Sequence, residues 1–188
     1  RITYKKNDLK ELFEYASLPV NLIDKYPNMD IWPGQPRCSS KHLYKTLGFD
    51  KYQSIDINSE HGAIKHDLNI PFEDKSKFNK FDLVTDFGSC EHVFNVAECY
   101  KTIHKLTKPG GYIIINQEVV KGNGYFAFDK GILHGMAAAN NYKIICTYYV
   151  ITPGTKTKDG SLHTYLIPMA ASLFNSIDFA KIRSVGVY

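Results

Sequence analysis

The chain has little of several things that would settle its class at once. Its 188 residues include four cysteines, three methionines and one tryptophan. Cys38, Cys90, Cys99 and Cys146 form no C-x-x-C pair or other metal-ligand spacing, so neither a metal site nor a compact disulfide framework is expected. A reducing, cytoplasmic setting with buried thiols is the default. Long apolar runs are missing too. The best stretch, Leu166 to Phe174, is interrupted by Pro168 and falls short of the roughly 18 residues a membrane span needs. An excess of charge of one sign is also absent. Twenty-three basic against 19 acidic residues give +4, which serves solubility and is too mild to argue for a nucleic-acid partner. The chain opens on Arg1 with no leader-like segment and is read as trimmed there. Repeats and low-complexity tracts are lacking as well.

What is present is the balance of one ordinary globular domain, 44% hydrophobic and 22% charged. We expect a single domain over 1–188, an N-terminal helix in 1–19 leading into an α/β core in 20–188. Asn7 can cap a helix carrying Leu9, Leu12, Phe13 and Ala16. Met29 to Trp32 reads as a strand that gives way to a loop, because Pro33, Gly34 and Pro36 break any regular continuation. Ser39 or Ser40 caps a short helix that stops at Gly48. Tyr52–Ile57 and Ala63–His66 read as strands, and Phe81–Asp86 as a third. Val96, Cys99, Tyr100, Ile103 and Leu106 form a helical stripe closed by Lys108-Pro109-Gly110-Gly111. Gly111–Gln117 is a nearly continuous apolar strand, Asp129 caps a further helix, and Lys143–Ile151 is a strand. A polar turn then leads to Leu162–Ile167, a hairpin partner at the sheet edge. This alternation predicts an α/β fold: a doubly wound, Rossmann-like, mostly parallel sheet with helices on both faces and an antiparallel terminal hairpin strand.

In such sheets ligands bind beyond the carboxyl ends of the strands, so the residues there carry the information. Asp56 ends the Tyr52 strand about 20 residues after Gly34, a spacing at which a carboxylate can accept from ribose hydroxyls; a turn or cap role is the alternative. Asp67 could accept from an exocyclic amine or form an Asx-turn into Pro71. After the third strand, Phe87-Gly88-Ser89-Cys90-Glu91-His92 combines a glycine that lets a ligand approach the backbone with two titratable side chains expected over the pocket mouth. His92 is suited to take a proton from a nucleophile. The alternative for Glu91 and His92 is that they begin the next helix. His104 and His134, each within a helical pattern, are read as structural.

In their order these segments resemble the class I S-adenosylmethionine-dependent methyltransferases. The likeness rests on Ser54-Ile55-Asp56, His66-Asp67-Leu68-Asn69, Phe81-Asp82-Leu83-Val84 leading to Glu91-His92-Val93, and Leu106-Thr107-Lys108-Pro109-Gly110-Gly111, and covers most of Trp32 to Ile167. It implies S-adenosylmethionine as cofactor, with Asp56 on the ribose, Asp67 and Leu68 flanking the adenine, and Phe87 and Gly88 along the cofactor. Glu91 and His92 then face the methyl group or the substrate as the catalytic candidates. The family's glycine-rich first motif is degenerate here, Ile31-Trp32-Pro33-Gly34-Gln35-Pro36-Arg37, with Gly34 as its one glycine. Proline lacks an N–H, so this loop offers fewer donors, and Arg37 could offset the loss by pairing with the cofactor carboxylate.

Substrate-side groups are expected from the N-terminal helix and from Gln117, Asn123, Tyr125 and Phe126, a mixture suited to a sugar or other small polar molecule. The first expectation is therefore methyl transfer to an oxygen or nitrogen of a small molecule. The alternative is a protein of this fold that has lost the cofactor and acts as a binding or scaffolding module. A nicotinamide enzyme ranks last, because no G-x-G-x-x-G stands after a strand.

Overall fold

The computed structural model describes residues 6–25, 30–32, 35–37, 40–120, 124–153, 165–168 and 182–187. The chain divides into two compact units, 1–67 and 68–188.

In the first unit, helix α1 (Lys6–Tyr15) turns Leu9 and Phe13 inward, four residues apart on one face, against Ile23 and the half-buried Val20 and Leu43. Strands β1 (Asp30–Trp32) and β2 (Gln35–Arg37) pair antiparallel, with Trp32 opposite Gln35. The strand expected near Ile31 is present, and Gln35–Arg37, expected as part of a loop, pairs with it, while Pro33 and Gly34 lie outside the described residues. Helix α2 (Ser40–Thr46) stops at the turn around Gly48, where the Leu47 N–H donates to the Leu43 carbonyl at 2.9 Å. Strands β3 (Ile55–Asp56) and β4 (Ile64–Lys65) form a parallel pair, Ile55 opposite Ile64 and Asp56 opposite Lys65. Both are shorter than their apolar patterns suggest. On the β3 side Tyr52 is engaged elsewhere, hydrogen-bonded to Ser40 at 2.6 Å and stacked on Tyr44.

The second unit runs β5 (Phe81–Phe87), α3 (Val96–Leu106), β6 (Thr107–Val120), α4 (Lys130–Ala139), β7 (Tyr148–Pro153), β8 (Tyr165–Pro168) and β9 (Ile182–Val187). Helix α3 covers the stretch its apolar stripe predicts, and the Asp129 side chain accepts from the Gly131 N–H at 2.6 Å to open α4. The five strands form one sheet in the order β5-β6-β9-β7-β8. β5 and β6 are parallel; β9 pairs antiparallel with both β6 and β7, and β8 antiparallel with β7.

The doubly wound, mostly parallel sheet is therefore realised only in part. β5, β6 and β7 share one direction, but β9 lies between β6 and β7 and runs against both. The β7–β8 hairpin expected at the edge is present, while β9 is an addition to the expected strands. Its six residues Ile182–Val187 include Arg183, Ser184 and Gly186, too weak a local pattern to mark a strand without the two ladders that hold it. The β3–β4 and β1–β2 pairs form separate two-stranded sheets.

The core of this unit joins Cys90, Val93, Cys99, Ile103 and Phe128, with Leu68, Val84, Val96, Tyr100, Ile113 and Phe126 packed around them. Cys90 and Cys99 are the buried thiols expected; Cys146 is exposed and Cys38 lies outside the described residues. Hydrogen bonding to Cys99, then burial, pushes the Cys90 thiol up, so it packs as a protonated group. His104 bonds the Tyr142 hydroxyl at 2.7 Å and His134 faces Thr147 at 3.4 Å. Among the described residues no helix is long and apolar enough to cross a membrane.

Candidate active site

Parallel pairing brings the ends of neighbouring strands together, and both units carry polar groups at such carboxyl ends. In the first unit Asp56 ends β3, and Asp67 lies two residues beyond β4. Asp56 is exposed, and its Oδ1 accepts from the Asn58 N–H at 3.1 Å. One oxygen thus fills the turn role that the sequence left open. Arg37 lies on β2 opposite Asp30, and Gly34 falls outside the described residues.

In the second unit three segments meet, 86–95 at the end of β5 and beyond it, 116–118 in the far half of β6, and 124–128. Phe87 pairs with Asn116, and the Gly88 N–H donates to the Asn116 carbonyl at 2.8 Å. Gly88 has a φ of 75°, which a side chain at this position would strain. The chain then folds back as a short 3-10 turn, Cys90–His92, and reaches α3 through Asn95. Asn95 is tied at both its backbone N–H and its side-chain amide to Asn69, at 2.9 and 3.0 Å. Leu68 beside it packs on the core.

Glu91 and His92, expected together over the mouth, are separated by this turn. Glu91 is 4% exposed and its surroundings are fully specified. Its N–H donates to Gln117 Oε1 at 3.1 Å, and its Oε2 accepts from the Glu118 N–H at 2.8 Å. Its carbonyl accepts from the Tyr125 N–H at 2.6 Å and the Phe126 N–H at 3.3 Å. The His92 side chain is 47% exposed, and its Nε2 faces Glu91 Oε1 at 3.5 Å. The Glu91 carboxylate thus lies behind the imidazole, and His92 is the one of the two that reaches solvent.

Behind this pair lies a network that the sequence does not reveal. Asp86 is buried; its Oδ1 accepts from the Ser89 N–H at 2.8 Å and its Oδ2 from Gln117 Nε2 at 2.5 Å. Gln117 therefore bridges the Asp86 carboxylate and the Glu91 backbone, and being fully buried it is not the expected substrate-side group. The available signal is a polar residue near the end of each of two apolar strands, whose partners only pairing can identify. Asn123 lies outside the described residues, Tyr125 is exposed, and Phe126 packs on the core.

Glu118 completes the set. Burial first, and the neighbouring Glu91 carboxylate second, raise its carboxyl above the usual range, and its Oε2 has no hydrogen-bond partner. A carboxyl that titrates higher folded than unfolded stabilises the fold below its unfolded pKa, and that contribution is lost as pH rises through the folded value. Glu118→Gln should consequently stabilise the protein at neutral pH. Because Glu118 is half-buried and solvent screens it, the gain is less than about 1 kcal/mol. Urea unfolding should show it at neutral pH and show it vanish in acid below the ordinary glutamate range.

A family model described as a methyltransferase domain matches residues 49–161. That is more than half of the chain, and the chain belongs to this methyltransferase family, with the Rossmann-like α/β fold it implies. No curated protein and no solved structure matches it. Family membership supports methyl transfer from S-adenosylmethionine, the cofactor the family typically uses.

Each unit by itself carries a group whose chemistry suits that cofactor: in the first, Asp56 turns only Oδ1 to the Asn58 N–H, and in the second, Gly88 has a φ of 75° and no side chain over its backbone. The first motif fits less well, because the segment after β1 pairs back on it as the antiparallel strand β2, with Trp32 opposite Gln35.

Proposed function

We propose that the protein transfers a methyl group from S-adenosylmethionine to an oxygen or nitrogen of a small polar molecule, with His92 as the base. The observation that carries this reading is the anchored Glu91. Buried and held at its N–H, carbonyl and carboxylate, it fixes the half-exposed His92 imidazole just beyond the carboxyl end of β5. The cofactor supplies an electrophilic methyl group, so the chain's tasks are alignment and removal of a proton. Asp56 is assigned to the ribose hydroxyls, Asp67 and Leu68 to the adenine, and Phe87 and Gly88 to the cofactor's length. Gly34 and Arg37 are assigned to its methionine part. Glu91 orients His92, which takes the proton.

Calorimetric titration with S-adenosylmethionine and S-adenosylhomocysteine tests the proposal. Saturable binding is expected, and Asp56→Ala should weaken it about tenfold to a hundredfold, the value of charge-assisted hydrogen bonds to two hydroxyls. His92→Ala should leave donor affinity unchanged while lowering turnover about a hundredfold or more. Unchanged affinity in Asp56→Ala removes that residue from the site.

The β1–β2 pairing favours a second reading, a binding or scaffolding module of this fold without the cofactor. Absence of donor binding up to millimolar concentration would select it.

A further inference from the structure

At the end of β5 opposite His92 a cavity of about 450 Å³ is lined by Pro71, Phe72, Glu73, Lys75, Phe78 and Lys105, a size within the range of small-molecule sites. The lining comes before Phe81, where β5 begins, and His92 comes after Phe87, where it ends. The seven residues of the strand, about 20 Å of chain, therefore stand between the two sites.

Local hydrogen bonds build this cavity. The Asp74 side chain accepts from the Ser76 N–H at 3.0 Å and opens the 3-10 turn Lys75–Lys77, and the Phe78 N–H donates to the Lys75 carbonyl at 3.2 Å to close it. The chain is then clipped to the end of α3. The Asn79 N–H donates to the Lys105 carbonyl at 2.8 Å and the Lys80 N–H to the Leu106 carbonyl at 3.2 Å. Both walls are thus held in place before any ligand arrives, which lowers the cost of binding. Phe72 is almost fully buried, and its ring lies 6.5 Å from that of the half-buried Phe78.

Charge and apolar surface together select the ligand. The Lys105 ammonium stands 5.7 Å from the centre of the Phe78 ring and 3.8 Å from Glu98 Oε1. Lys101 faces the other Glu98 oxygen at 3.5 Å, so Glu98 keeps a cation when Lys105 turns to a ligand. Lys75 is exposed and makes no ion pair among the described residues. Two lysines against Glu73 leave the lining with an excess of one positive charge. A single carboxylate neutralises that excess, a phosphate dianion overshoots it, and a cation is repelled. The rings of Phe78 and Pro71 supply apolar contact for a flat body.

We infer that this cavity binds a small aromatic carboxylate, its ring against Phe78 and its carboxylate on Lys105, with Lys75 adding positive charge from the same lining. The site is separate from the methyl-transfer reading and does not depend on it.

The test titrates the isotope-labelled full chain with indoleacetate, tryptophol and tryptamine, one ring system carrying a carboxylate, an alcohol and an ammonium group, and follows the amide shifts. Indoleacetate should give saturable shifts centred on Phe72, Lys75, Phe78 and Lys105, with Gly88 and His92 unmoved. It should bind at least about tenfold more tightly than tryptamine, with tryptophol between and inorganic phosphate weaker than indoleacetate. Lys105→Gln should weaken indoleacetate about threefold or more and Lys75→Gln should act in the same direction, while both leave tryptophol affinity unchanged. Both ammonium groups reach solvent, so circular dichroism should show folded variants. Tryptamine, tryptophol or phosphate binding as tightly as indoleacetate overturns the inference. So does the lack of saturable shifts at millimolar concentration, a set of shifts centred elsewhere, or an indoleacetate affinity that neither substitution moves.

Discussion

Gly124→Ala should destabilise the protein by about 2–3 kcal/mol, a fall in melting temperature of about 5–10 °C for a chain of this size. A Cβ at Gly124 would lie 2.6 Å from the Glu91 carbonyl oxygen, 2.8 Å from its Cβ and 2.9 Å from its carbonyl carbon. Two of these atoms are backbone, and Glu91 is held on every side, so neither partner can move without breaking hydrogen bonds. The Tyr125 and Phe126 N–H groups that donate to that same carbonyl would be displaced with it. Gly135→Ala is the control. A Cβ there meets nothing within 4 Å, and the residue lies in α4, so alanine should be neutral or stabilise by up to about 1 kcal/mol. Equal melting temperatures for the two variants would refute the close approach at Gly124.

Gln117→Leu should cost about 2–4 kcal/mol, because it strands two buried groups at once. The Asp86 carboxylate would keep the Ser89 N–H and the weak Cys90 thiol donor but lose the Gln117 amide, and the Glu91 N–H would lose its acceptor. The shape of the core changes little, so the loss reports polar satisfaction and not packing. Adding Asp86→Asn to Gln117→Leu should recover part of the stability, since the unpaired charge is then gone. A pair that is simply additive in urea unfolding would show that the bridge does not couple these residues.

Much of the second unit is legible from local pattern. The stripe Val96, Cys99, Tyr100, Ile103 and Leu106 defines α3, Asp129 opens α4, and the Phe81 and Ile113 strands pair in parallel as their apolar runs suggest. These signals are local, written within about ten residues. Strand β9 is hidden from such a reading because its stability comes from two ladders to residues far away in sequence. The pairing of Trp32 with Gln35 is hidden for a related reason, since a proline-rich stretch carries no local strand signal.

At the site, the distinction lies between naming a residue and orienting it. Glu91 and His92 stand out in the sequence as neighbours after a strand, yet a single 3-10 turn sends one inward and leaves the other half in solvent. Gln117 resembles a substrate contact because its type suits one; its burial beside Asp86 decides otherwise. Asp56 retains both readings, because Oδ1 closes a turn with Asn58 and Oδ2 takes no part in it. The roles given to Asp56, Asp67, Leu68, Phe87 and Gly88 depend on a bound donor.

That dependence sets the most direct measurement, amide chemical-shift mapping of the isotope-labelled chain titrated with S-adenosylhomocysteine. Saturable shifts are expected at Asp56, Asp67, Leu68, Phe87 and Gly88. Shifts confined to other residues, or none at saturating ligand, would contradict donor binding at these strand ends.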